Sequence, residues 1–84
     1  MNIETYFKIL NFITQKTIKL DKLVLIAKQK DLAQELNIPI ATFKRYFKML
    51  NEQGLIAKES KGMYVISPKS FKVLDNIKEE FKFE

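Results

Sequence analysis

The stretch Lys30–Ser67, KDLAQELNIPIATFKRYFKMLNEQGLIAKESKGMYVIS, decides how this chain folds. In its first part, KDLAQEL, Leu32, Ala33 and Leu36 share one face at helical spacing, and the small Ala33 lets a second helix approach closely. Pro39 has no amide hydrogen and a fixed φ, so it suits the start of a helix and disrupts the inside of one. The break therefore falls at Asn37 to Pro39, between a helix over Lys30–Leu36 and a second over Ile38–Asn51. Phe43, Phe47 and Leu50 form an i, i+4, i+7 stripe on that second helix, with Tyr46 at its edge. Gly54 stands where a left-handed residue commonly closes a helix. Beyond it, Leu55–Glu59 and Met63–Ser67 read as two short strands around a Ser60-Lys61-Gly62 turn.

On the N-terminal side, Ile3, Phe7, Leu10 and Ile13 recur every three or four residues, and Tyr6, Ile9 and Phe12 widen the stripe. This predicts a helix from Ile3 to Lys16. The run Leu20–Lys28, LDKLVLIAK, alternates the β-branched Val24 and Ile26 with Leu23, Leu25 and Ala27 and reads as a short strand, although a continuous apolar run is also compatible with a helical turn. On the C-terminal side, Ser67-Pro68 or Ser70 caps a last helix carrying Phe71, Leu74, Ile77 and Phe81. The predicted fold class is mainly α with a small β-hairpin, in the order α-β-α-α-β-β-α. Residues 1–84 form one domain: an N-terminal helix (1–17), a central unit (30–67) and a C-terminal helix (68–84).

Composition narrows the function. A chain of 84 residues has room for one core, and its 46% hydrophobic and 30% charged residues are the balance of a folded protein. It contains no cysteine and no histidine, which removes disulfides, thiolate metal sites, the cysteine nucleophile and the commonest general base. With glycine only at positions 54 and 62 there is no Gly-rich phosphate loop. An enzyme is not expected, nor any cofactor or metal. Glu79-Glu80 with Glu84 reads as an exposed helix end and not a metal site, and Asp31 and Glu35, at i and i+4 on the helix over Lys30–Leu36, as helix-stabilising residues and not paired acid and base. Lys and Arg total 15 against 10 for Asp and Glu, so the net charge is +5 and the pI near 9.5, which favours a polyanionic partner. No apolar run approaches the roughly 18 residues of a membrane span, and the N-terminus lacks a signal-peptide pattern, so a cytoplasmic location is expected.

A helix, a tight turn, a second helix and a hairpin follow one another in the order of a winged helix-turn-helix, and Lys30–Pro68 resembles that family. Leu32, Ala33 and Leu36 resemble its first-helix packing residues, Ile38 its turn hydrophobe, and Phe43, Phe47 and Leu50 the buried face of its recognition helix. More narrowly, the run from KDLAQELNIPIATFKRYFKML to GMYVISPKSF is similar to Firmicute plasmid replication proteins of the RepL type, whose wing ends in G-x-Y-x-I-N-P. Here the matching residues are Gly62, Tyr64, Ile66, Ser67 and Pro68, with serine in place of asparagine. The TubR-like centromere-binding adaptors of plasmid and phage partition, and small repressors of mobile elements, are similar in size and plan.

These resemblances imply sequence-specific binding of double-stranded DNA in replication, partition or transcriptional repression. With the apolar stripe turned inward, Ala41, Lys44, Arg45 and Lys48 share the opposite face, led by Ile40 and Thr42. Arg45 is the candidate base reader, because its planar fork can donate two bonds to guanine. Lys44 and Lys48 are candidates for phosphates, and Thr42 for phosphate or a thymine methyl. Lys58 and Lys61 bracket the hairpin tip, and Lys28, Gln29 and Lys30 begin the first helix of the motif; these are expected to hold the DNA backbone. A lysine-rich helix face is by default plain solvated surface, and it is the lone arginine and the surrounding motif that favour DNA. Tyr46 and Tyr64 read as core or boundary residues. The surplus of aromatics near the ends, Tyr6, Phe7, Phe12, Phe71, Phe81 and Phe83, suggests a C2 homodimer with recognition helices roughly 34 Å apart. The competing reading is a winged-helix module that binds a second protein and not DNA.

Overall fold

Asn2 starts the first helix. Its side-chain oxygen accepts the backbone N–H groups of Glu4 (2.9 Å) and Thr5 (3.2 Å), two of the amides that a helix start leaves without an internal partner. Helix α1 then runs Ile3–Lys16, as its periodicity predicts, in a computed structural model that describes residues 1–81. It buries Tyr6, Ile9, Leu10, Ile13 and Thr14, while Phe7 and Phe12 pack half-buried against the same core. Burial raises the pKa of the Tyr6 hydroxyl above its ordinary value, and the hydrogen bond to the Gln53 side chain acts in the opposite direction.

The next segment is a hairpin where the sequence suggests a single strand. Strand β1 is Ile18–Lys19 and β2 is Leu23–Ile26, paired antiparallel with Ile18 opposite Val24. Leu20, expected inside a strand, lies in the turn between them, where its N–H donates to the Lys22 carbonyl (2.9 Å) and its side chain is exposed. Two strand residues are too few to show a period, which is why β1 leaves no signal in the sequence.

Helices α2 (Gln29–Glu35) and α3 (Ile40–Glu52) follow. Helix α3 begins two residues after the expected start because Pro39 takes the N-cap position with extended backbone (ψ 139°). Both helices close in the same way. After α2, Asn37 adopts φ 56°, its N–H donates to Gln34 and that of Ile38 donates to Ala33; after α3, Gly54 adopts φ 74°, its N–H donates to Asn51 and that of Leu55 donates to Leu50. This paired closure satisfies the last carbonyls and turns the chain sharply, so α2 and α3 pack against each other.

Strands β3 (Ile56–Ser60) and β4 (Met63–Ile66) form the second hairpin, with Gly62 at φ 75° in its tip and a register shift between Lys58 and Ser60. The sheet order is β1-β2-β4-β3, antiparallel throughout. Leu25, Tyr64, Ile56 and Ile66 are buried, and the Phe47 ring meets Tyr64 edge-on at 4.9 Å, which seats α3 against the sheet. Helix α4 is Lys69–Phe81. Of its two candidate caps, Ser67 serves, its hydroxyl accepting the N–H of Lys69 (3.2 Å), while Ser70 is fully buried and donates to the Leu55 carbonyl (2.9 Å). The architecture is the mainly helical one expected, in the order α-β-α-α-β-β-α, with the two-residue β1 added to its sheet.

The aromatics near the ends divide between core and surface. Helices α1 and α4 pack against each other, Tyr6 is buried, and Phe71 and Phe81 are 36% and 50% exposed. Phe83 and Glu84 lie outside the described residues.

A candidate nucleic-acid interface

Helix α3 is amphipathic in a way that leaves a cationic face. Phe43, Tyr46, Phe47 and Leu50 are buried, with Phe43 and Phe47 stacked at 5.4 Å, so Ile40, Ala41, Lys44, Arg45 and Lys48 are turned to solvent. Thr42 is half-buried at the edge. The inward-outward division read from the sequence holds at Phe43, Phe47 and Leu50 and at Ile40, Ala41, Lys44, Arg45 and Lys48, while Thr42, expected outward, is half-buried.

Packing then gathers lysines from three elements around that face. A cleft of about 410 Å³ is lined by Lys28, Gln29 and Lys30 at the start of α2, by Ile40 and Lys44 of α3, and by Lys58, Lys61, Gly62 and Tyr64 of the hairpin. An adjoining hollow of about 310 Å³ shares Gln29, Lys44, Lys58 and Tyr64 and adds Phe47, Lys48 and Asn51. Six lysines border this continuous surface, and no aspartate or glutamate does. Among the described residues, the ion pairs are Lys16–Glu35 and Lys22–Glu59, so none of the six is neutralised by a carboxylate. Unpaired like charges lining a concave surface concentrate a positive potential and attract polyanions from a distance.

Two hydrogen bonds hold the hairpin over the start of α2. The N–H of Ala27 donates to the Gly62 carbonyl (3.0 Å), and the Gln29 side-chain amide donates to the Tyr64 hydroxyl (3.2 Å). They fix how far Lys58 and Lys61 stand from Lys28 and Lys30. Tyr64 thus combines a buried ring with a hydroxyl on the cleft wall.

Of the ten residues expected at a DNA surface, Lys28, Lys30, Ile40, Lys44, Lys58 and Lys61 meet at the cleft and Lys48 joins in the hollow beside it. Ala41, Thr42 and Arg45 do not line either. Arg45 follows Lys44 by one residue, about 100° around the helix, and its guanidinium carbon lies 5.9 Å from the centre of the Tyr46 ring. It is exposed. The polar groups that spacing does not single out are Asn51 and the Tyr64 hydroxyl. Asn51 stands one turn beyond Phe47 and could have been found by extending the exposed face of α3, whereas nothing local distinguishes Tyr64 from an ordinary core aromatic.

A search of curated proteins finds no match to the chain. The family model of Firmicute plasmid replication protein (RepL) matches residues 4–80, from the second residue of α1 to the next-to-last of α4. The chain belongs to the RepL family. The RepL match takes in both terminal helices and the β1–β2 hairpin as well as α2, α3 and the β3–β4 hairpin, whereas the motif resemblance legible in the sequence covers only Lys30 to Phe71. Ser67 caps α4. Among the described residues no helix is long and apolar enough to cross a membrane, and no cluster of three or more aspartates or glutamates could hold a metal ion.

Proposed function

We propose that this RepL-family protein acts in plasmid replication by binding double-stranded DNA, with α3 in the major groove and the β3–β4 hairpin on the flanking backbone. The observation that carries the reading is the convergence of six lysines and no carboxylate around a helix whose opposite face is core. A duplex major groove admits one such helix, and its phosphates flank the groove on both sides. Lys28, Lys30, Lys44, Lys48, Lys58 and Lys61 hold phosphates, while Ile40, Ala41, Thr42 and Arg45 stand toward base edges. The protein works by binding in the cytoplasm and not by catalysis, in keeping with a chain that has neither histidine nor cysteine.

Assembly is a C2 homodimer built on α1 and α4, supported by the exposure of Phe71 on α4. Light scattering that gives a stable monomer at micromolar concentration refutes the dimer.

The deciding experiment retains plasmid and chromosomal fragments on the purified protein at low ionic strength and sequences them. Repeated sites beside a replication origin are the expected result. Repeats at a partition locus, or a single site in a promoter, would reassign the role to segregation or repression while keeping the DNA-binding chemistry. Failure to retain any fragment refutes DNA binding and leaves the protein-interaction module as the use of the fold.

A further inference from the structure

Ile40 is the one large apolar side chain that is both strongly exposed, at 40%, and set in the lysine cleft; the other exposed large hydrophobics among the described residues are Met1, Ile18, Leu20, Ile26, Phe71 and Phe81. It is the first residue of α3 and forms a ridge between two concavities, the cleft beside Lys44 and a groove of about 480 Å³ along the α2–α3 turn that includes Gln34 and Asn37. Its backbone follows Pro39, whose φ of −54° is fixed by the ring, and its own branched Cβ restricts χ1. The side chain therefore has few χ1 rotamers open to it before any partner arrives.

An isoleucine can neither donate nor accept a hydrogen bond, so of the groups displayed in the major groove it gains only from the C5-methyl of thymine. Opposite the polar edges of guanine, cytosine or adenine it would strip water and return nothing. Flanking lysines hold the backbone but read no sequence. We infer that Ile40 is a specificity-determining residue that reads the methyl group of a thymine at the start of the recognition helix. The inference rests on the DNA-binding reading above.

The test changes the DNA first. Selection from a duplex library randomised over about 20 base pairs, two helical turns, yields a preferred site, which is then resynthesised with uracil replacing thymine one position at a time. Uracil differs only by the missing methyl. At one position the substitution is expected to weaken binding about fourfold, the effect of returning one buried methyl to water, while other positions change little. With Ile40→Ala, whose site is too exposed to unsettle the core, the same substitution is expected to have no effect, and with Ile40→Val part of it returns. A selected site indifferent to uracil at every thymine, or an Ile40→Ala protein as sensitive as the native one, overturns the inference and leaves DNA binding standing. No complex with any library member overturns the proposed function itself.

Discussion

Removing lysines from the cleft changes how steeply binding depends on salt, and the structure sets the size of the effect. Each phosphate neutralised on duplex DNA releases condensed counterion and contributes about −0.9 to the slope of log affinity against log salt concentration. Six lysines border the cleft and the adjoining hollow without a carboxylate among them. If all six engage phosphates, the slope is about −5, and raising salt from about 50 to about 200 mM costs roughly three orders of magnitude in affinity. Lys61→Ala, at the exposed hairpin tip, should reduce the slope by about 0.9 and weaken all sequences alike. Lys22→Ala, on a lysine paired with Glu59 at 3.2 Å and outside the cleft, should leave it unchanged. Fluorescence anisotropy on a labelled duplex, titrated at five or so salt concentrations, reads the slope directly. A native slope shallower than about −2, or equal effects of Lys61→Ala and Lys22→Ala, would refute the assignment of this cleft to DNA phosphates.

Three further outcomes concern the frame that holds the cleft. Phe43→Ala empties the fully buried site of a ring stacked on Phe47 and should cost about 3–5 kcal/mol, comparable to the whole stability of a core this size, so circular dichroism at 25 °C should find much of the variant unfolded. Gly54→Ala forces a Cβ onto a residue at φ 74°; since that Cβ would meet no neighbour within 4 Å, the cost is confined to the backbone. It amounts to about 1–2 kcal/mol, visible as a fall in Tm of about 4–8 °C per kcal/mol. Tyr6 has its folded pKa raised above 10.0 by burial, so its hydroxyl loses its proton more readily in the unfolded chain. Its contribution to stability is complete below pH 10 and is lost as pH rises through the folded pKa. Urea unfolding at pH 9 and about pH 10.5 should therefore show a larger drop for the native protein than for Tyr6→Phe, and equal drops would refute it.

The helix-turn-helix was legible because its determinants are local. The break at Pro39, the stripe of Phe43, Phe47 and Leu50, and the glycine at 54 each act within a few residues of their own position. Helix α1 could be read to the residue for the same reason. Capping was less determinate: both Ser67 and Ser70 fit the N-terminal signal, and only the position of the Leu55 carbonyl decides that Ser70 is buried against it.

What the sequence determined by itself, then, was the set of helices, the second hairpin and the cationic outward face of α3. Tertiary structure decided which of those cations stand together. Lys28 and Lys30 meet Lys44, Lys58 and Lys61 because the left-handed closures at Asn37 and Gly54 and the Ala27–Gly62 bond bring their elements together, whereas Arg45 is left out by its own place about 100° around α3 from Lys44. Periodicity reports which side of its own element a residue occupies. Distances between elements depend on how their buried faces interlock, and that is a property of the whole core.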